Sequence, residues 1–174
     1  IGIENESLRN ADVVVCAYRF LESYAVSHGT RDVRVIYNVI NTDQMAVKDD
    51  YALHSPPTAV VVGRQYLKKD PRPVLHAVSK IPELHCVLIG DGPYHEELKR
   101  LADELGIAER CEFMRSVANE VLCRTLKDYD ILISVNDVGG VSKVDLEAAH
   151  VGLPVITNAH HIERQPEVLE ENCL

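Results

Sequence analysis

A doubly wound, parallel α/β sheet is the fold class predicted, on three observations. Short β-branched runs alternate along the chain with longer amphipathic segments. Several runs are continuously apolar instead of alternating, which is the pattern of strands covered by helices on both faces. Breaks rich in Gly, Pro, Asn and Asp separate the segments, and no internal repeat or low-complexity stretch interrupts the order.

The elements follow in sequence. Residues 12–17 (DVVVCA) and 33–37 (VRVIY) read as strands, with a helical pattern over 19–28 between them. The polar, then Pro-rich stretch 48–57 (KDDYALHSPP) reads as a linker, so a domain boundary is expected near residue 50, giving domains 1–50 and 51–174. Beyond it, strands are expected at 58–62 (TAVVV), 85–89 (HCVLI), 111–114 (CEFM), 130–134 (DILIS) and 154–157 (PVIT). Helices are expected at 71–80, where Pro71 suits a first turn, and at 94–105, 119–127 and 142–151. In 94–105, Leu98, Leu101, Ala102 and Leu105 recur at i, i+3, i+4 and i+7. Glu96 and Arg100 are spaced to pair on the opposite face, and Gly106 stops the helix.

Composition narrows the function classes. The 174 residues are 46% hydrophobic and 26% charged, and 18 Lys plus Arg against 27 Asp plus Glu leave a net charge of −9. That balance argues against nucleic acid as the main partner, because phosphate-backbone binding needs a basic patch. No apolar run approaches the roughly 20 residues that span a bilayer. The five cysteines contain no CxxC pair, which predicts buried reduced thiols at Cys16, Cys86 and Cys111 and a cytoplasmic setting. His160, His161 and Glu163 read as a polar loop, and Glu167, Glu170 and Glu171 as a solvated face; no metal site is expected. There is no GxSxG, HExxH, Walker-type or GxGxxG motif.

In open parallel sheets ligands gather at the carboxyl ends of the strands. Gly63, Arg64 and Lys69 follow the 58–62 strand, where fixed positive charge is not needed for folding and suits a diphosphate. Gly90, Asp91, Gly92 and Pro93 follow the next strand, and Arg115, Ser116 and Val117 the one after. Gly139, Gly140, Val141 and Ser142 lead from 130–134 into a helix, with Ser142 and Asp145 spaced as a capping box. Such a helix start offers free N–H groups and the positive dipole end to a phosphate. Glu147, inside an apolar stretch of that helix, is expected to be shielded and to need a partner, which ribose hydroxyls would supply.

Taken in order, VVVGRQYLKKDPRPVLHAV, CVLIGDGPYHEELKRLADELGI, CEFMRSV and DILISVNDVGGVSKVDLEAAHVGLPVIT resemble the donor-binding domain of retaining GT-B glycosyltransferases, the glycosyl transferases group 1 family. The upstream ADVVVCAYRFLESYA and VRVIYNVINTDQM resemble the last strand–helix–strand unit of the acceptor-side domain of such enzymes. The resemblance implies a Rossmann-like half of a GT-B fold that binds a nucleoside-diphosphate-sugar and transfers its sugar with retention, without a metal or other cofactor. Arg64 and Lys69 would bind the diphosphate and stabilise the leaving group, and 140–142 would add backbone donors. Glu147 would hold the ribose as the second Glu of a Glu-x7-Glu motif. Arg115, Ser116 and Val117 would lie beside the nucleobase, with Gly63, Gly90 and Gly92 lining the cleft. Gly139 stands where the motif has its first Glu, and Asn41 where an upstream pattern has Asp.

The same resemblance implies a fragment, cut at Ile1 and truncated after Leu174, that binds nucleotide weakly and transfers nothing alone. The acceptor, whether glycan, lipid or small molecule, would be held mainly by a missing N-terminal domain, through which alone any membrane association would arise. Two alternatives remain: a nucleotide-sugar epimerase, and a non-catalytic GT-B-like binding or scaffold module, which Gly139 favours. A flavodoxin-like regulatory domain is disfavoured because Asp12 precedes its strand.

Overall fold

The computed structural model describes residues 2–136 and 141–158. Two compact units divide between Val39 and Ile40.

In the first, helix α1 (Gly2–Asn10) precedes β1 (Val14–Cys16), α2 (Phe20–Ser27) and β2 (Val33–Val35). The two strands pair in parallel, with Val14 opposite Val33 and Cys16 opposite Val35. This is the expected strand–helix–strand unit, with α1 added. Thr30 is buried and donates through Oγ1 to the Leu8 carbonyl at 2.9 Å, which ties the end of α2 to α1.

The second unit contains β3 (Thr58–Val62), α3 (Arg72–Val78), β4 (His85–Ile89), α4 (His95–Glu104), β5 (Cys111–Met114), α5 (Asn119–Thr125), β6 (Ile131–Ser134), α6 (Lys143–Val151) and β7 (Val155–Thr157). Its five strands are all parallel in the order β5-β4-β3-β6-β7. Successive residues of β3 and β4 point to opposite faces, and both faces are apolar. Ala59, Val61, Cys86 and Leu88 pack under α3 and α4 with Leu75, Val78, Leu98 and Ala102. Val60, Val87, Ile89 and Leu132 pack under α5 and α6 with Leu122, Leu126, Ala148 and Val151. Leu75, Leu88, Leu98 and Leu132 have no exposed surface, and each such leucine contributes about 2 kcal/mol by leaving water. The sheet is therefore doubly wound as the sequence predicts. Its order reverses between β3 and β6, the place where open α/β sheets form a ligand crevice.

The stretch before β3 packs on the second unit, so the division lies upstream of the Pro-rich break. Ile40 and Met45 join the core under α5 and α6. Buried Lys48 donates from Nζ to the carbonyls of Lys127 and Tyr129 at 3.0 and 2.9 Å. Asp130 accepts from the Thr58 N–H at 2.6 Å and from the His54 N–H at 3.1 Å, with His54 Nδ1 at 2.8 Å.

Among the expected thiols, Cys16 and Cys86 are buried and Cys111 is partly buried; Cys123 is buried as well. Glu96 does not pair with Arg100. It binds Arg115 at 2.5 Å and Lys99 at 3.6 Å, because the loop after β5 brings a guanidinium within reach of the helix. Gly139, Gly140, Cys173, His160, His161, Glu163, Glu167, Glu170 and Glu171 lie outside the described residues.

Candidate functional site

The loops after β3, β4 and β5 are fastened side by side. Beyond the strands the ladder continues, with Gly63 N–H donating to Ile89 at 2.9 Å and Gly90 N–H to Met114 at 2.7 Å. Gly90 and Gly92 have φ of +150° and +157°. A Cβ on Gly90 would lie 1.9 Å from the Gly63 carbonyl oxygen, and one on Gly92 would lie 2.1 Å from that of Gln65. Only glycine permits this approach. Asp91 Oδ1 accepts from the Gly92 N–H at 2.8 Å and from Arg115 at 2.6 Å. The Gly92 N–H and then Arg115 hold the Asp91 carboxyl below the usual range, against the opposing effect of desolvation.

The cations of the β3 loop are differently placed. Arg64 is exposed and Lys69 half-buried. The Arg64 guanidinium lies 5.9 Å from the centre of the Tyr66 ring. Two main-chain bonds close the turn from Tyr66 to Lys69, at 2.8 and 3.3 Å. Nearby carboxylates are already engaged. Arg72 takes Asp70 at 2.6 Å and Glu97 at 2.9 Å, and Arg115 takes Asp91 and Glu96. Burial raises the Asp70 pKa, but its hydrogen bonds and charge pairing with Arg72 outweigh this and hold it below the ordinary value. Among the described residues neither Arg64 nor Lys69 has an ion-pair partner, so both charges remain available to an anion.

On the other side of β3, Ser142 caps α6, its N–H donating to Asp145 Oδ2 at 2.9 Å. The capping box expected from Ser142 and Asp145 is formed, and among the described residues Asp145 Oδ1 is buried without a hydrogen-bond partner. Val141 is buried beside them. One turn into α6, Glu147 is 3% exposed on the side that carries Val144, Ala148 and Val151. The shielding expected from its neighbours is present. Among the described residues its ion-pair partner is Lys143, at 3.8 Å, on a side chain 56% exposed. Burial, and then the Glu147 carboxylate, push the Cys123 thiol of α5 upward in pKa. A buried carboxylate with so long an ion pair is under-satisfied.

The structure thus groups Gly63, Arg64, Lys69, Gly90, Gly92 and Arg115 on adjoining loops, with Val141, Ser142 and Glu147 at the start of α6. Arg115 is tied back by Asp91 and Glu96, Ser116 is exposed, and Val117 packs toward the core under α5 and α6. Sequence reasoning missed Gln65 and His95, which are 2% and 1% exposed and bonded to each other at 2.9 Å. Their signal was faint: a Gln beside Gly63-Arg64, and a His three residues after Gly92. No cluster of three or more His, Cys, Asp or Glu able to hold a metal occurs among the described residues. No helix among them is long and apolar enough to cross a membrane.

The family pattern described as glycosyl transferases group 1 matches residues 45–172. The chain belongs to that family. Among curated relatives, it is 28% identical over 153 residues to the lipopolysaccharide core biosynthesis glycosyltransferase LpsE of Rhizobium meliloti, covering 86% of this chain and 44% of the relative. It is 27% identical over 168 residues to the GDP-mannose-dependent alpha-(1-6)-phosphatidylinositol monomannoside mannosyltransferase of Mycolicibacterium smegmatis, covering 84% of this chain and 44% of the relative. The chain therefore spans less than half the length of either. Among solved structures, sucrose-phosphate synthase from Thermosynechococcus elongatus superposes with a TM-score of 0.80 at 21% identity, over 94% of this chain and 44% of that one. Anabaena HepE in complex with UDP and glucose gives a TM-score of 0.77 at 18% identity, over 90% and 47%. With the strand order, these likenesses establish the Rossmann-like fold of one half of a GT-B glycosyltransferase.

Proposed function

We propose that this chain is the nucleotide-sugar-binding part of a glycosyltransferase that moves a hexose from a nucleoside diphosphate to an acceptor with retention. The observation that carries the reading is the pairing of two uncompensated cations, Arg64 and Lys69, with one under-satisfied buried carboxylate, Glu147, around the crevice at the β3–β6 reversal. A nucleoside diphosphate complements both, offering phosphate oxygens to the cations and ribose hydroxyls to the carboxylate. As the bond from the anomeric carbon to the β-phosphate oxygen breaks, Arg64 and Lys69 offset the charge left on the diphosphate. The start of α6 adds N–H donors to the same oxygens. In this reading side-chain cations do the work that a divalent metal does elsewhere, and the Arg115–Ser116–Val117 loop borders the nucleobase.

The unit that ends at Val39 is assigned to the acceptor-side domain and the unit that begins at Ile40 to the donor domain, ten residues upstream of the boundary expected near residue 50, in a cytoplasmic enzyme. The acceptor, a glycan, lipid or small molecule, is assigned mainly to chain beyond this sequence, so the 174 residues alone bind nucleotide and transfer nothing. A second reading, a non-catalytic nucleotide-binding module, is favoured by one feature: Gly139 replaces the carboxylate that the family resemblance places against the donor sugar.

The names of two similar proteins support UDP and GDP as the first nucleotides to try. Titration calorimetry with each, on wild type and Glu147→Ala, tests the site. The expectation is heat of binding with one nucleotide that falls about tenfold in affinity in the variant, the order of one lost charged hydrogen bond. Equal affinities in the two proteins, or no heat in either, would remove the assignment. Product formation by a longer chain carrying both domains separates the enzyme from the non-catalytic module.

A further inference from the structure

The loop carrying Arg64 and Lys69 is joined to its neighbour by a polar pair sealed from water. Gln65 and His95 are 2% and 1% exposed. His95 Nδ1 lies 2.9 Å from Gln65 Oε1 and 3.2 Å from the Gly90 carbonyl oxygen. A carbonyl oxygen only accepts, so Nδ1 carries the hydrogen and shares it between the two oxygens. The Phe113 ring stands edge-on to the imidazole, 6.2 Å between centres, and fills the space beside it. Around the pair the main chains are zipped together. Gln65 N–H donates to Asp91 at 2.9 Å, Tyr94 N–H donates to Gln65 at 3.2 Å, and His95 N–H donates to Gly92 at 3.1 Å.

Stability alone does not call for polar groups here. Two apolar side chains of similar shape would fill the space at little cost, because a buried hydrogen bond nets only about 1 kcal/mol. What the pair supplies is direction. Apolar surfaces slide past one another, whereas one shared hydrogen admits a single register between the loops. Arg64 lies between Gly63, held by Ile89, and Gln65, held by Asp91, Tyr94 and His95. The Lys69 side chain passes 3.8 Å from where a Cβ on Gly63 would sit.

We propose that Gln65 and His95 are positioning residues: their shared hydrogen fixes the 63–69 loop on the 90–94 loop and so aims Arg64 and Lys69 at the diphosphate. The inference rests on the donor-site reading above. Neither residue touches the ligand, so each acts only through the loop.

The test uses the full 174-residue chain and two readouts, peptide-level hydrogen exchange and calorimetric affinity for whichever of UDP and GDP the wild type binds. Gln65→Leu and His95→Phe are expected to weaken that binding about tenfold and to raise exchange in 63–69, with the β3–β4 core unchanged. His95→Asn places an amide N–H where Nδ1 stands and is expected to restore affinity to within about twofold of wild type. His95→Gln places its amide where Nε2 stands and is expected not to restore it. If His95→Phe fails to fold, the Asn and Gln variants make the comparison. Wild-type affinity in Gln65→Leu, or equal behaviour of the Asn and Gln variants, would overturn the proposal. If wild type gives heat with neither UDP nor GDP, the donor-site reading fails, and exchange alone judges the pair: loosening confined to 63–69 supports it, and unchanged exchange refutes it.

Discussion

The two rims of the five-stranded sheet differ in how completely they satisfy their charges. At the amino ends of the strands the buried charged groups are bonded. Asp130 accepts from Thr58 and His54, Lys48 caps two carbonyls, and Arg110 donates to the carbonyls of Val78, Ile81 and Leu84 at 3.2, 2.8 and 2.9 Å. At the carboxyl ends, among the described residues, Arg64 and Lys69 lack counter-ions, Asp145 Oδ1 lacks a hydrogen bond, and Glu147 has a cation at 3.8 Å. One sequence on one sheet produces both rims. The lesson is that, among the described residues, the buried charges left incompletely paired fall on the rim where a crevice forms, while those of the other rim carry stability.

Four substitutions probe that contrast, in falling order of effect. Gly90→Ala breaks the carboxyl-end loops themselves: with its Cβ 1.9 Å from backbone oxygen, it should cost at least about 3 kcal/mol in urea unfolding. A wild-type midpoint would show that the loops are not interlocked. Asp130→Ala attacks the opposite rim, removing the buried carboxylate that the Thr58 and His54 N–H groups share, and should cost about 2 kcal/mol without direct effect on nucleotide affinity.

Asp130 also sets a pH signature. Burial raises its pKa, but the Thr58 and His54 donors outweigh this and leave the folded value below the ordinary one. The group is then ionised in both states near neutrality. Its contribution is complete above the unfolded value near 4 and disappears as pH falls through the folded one. Wild type should therefore lose more stability than Asp130→Ala between about pH 5 and pH 2; parallel curves would remove Asp130 as a source of acid sensitivity.

Arg64→Ala should leave unfolding within about 0.5 kcal/mol of wild type while weakening nucleotide binding about tenfold. A large loss of stability would mean that its charge serves the fold. The smallest change is expected from Glu147→Gln. Removing an under-paired buried charge should leave stability equal or raise it by up to about 1 kcal/mol, the sign opposite to that of Asp130→Ala. A loss above about 2 kcal/mol would place Glu147 with the satisfied rim instead.

Much of this contrast could be read in the sequence, though unevenly. The apolar runs at 58–62, 85–89 and 111–114 became strands with those limits, because continuous burial on both faces leaves few other arrangements. The run at 130–134 became a strand from Ile131, with Asp130 in the bend before it, where its carboxylate accepts from Thr58 and His54. Glu147 and the β3 cations could be found from their local settings. Helix α1 could not, since GIENESLRN carries no apolar stripe to betray it. The Gln65–His95 bond spans 30 residues of chain and depends on two loops being neighbours, which no local pattern encodes. The ties from Lys48 and His54 across to β6 are non-local in the same way, so the composition break at 48–57 suggested a boundary where the chain is already packed.

The interlock of Gly63, Gln65, Gly90 and Gly92 also bears on how such a loop can lengthen over evolutionary time. With Gly90 and Gly92 fitted against the carbonyls of Gly63 and Gln65, a residue inserted at 63–65 or 90–92 shifts all later partners by one place. The tip of the turn around Leu67, which is 69% exposed, has no such partner to lose. New length, and with it new reach toward different ligands, can enter there without disturbing the anchor below.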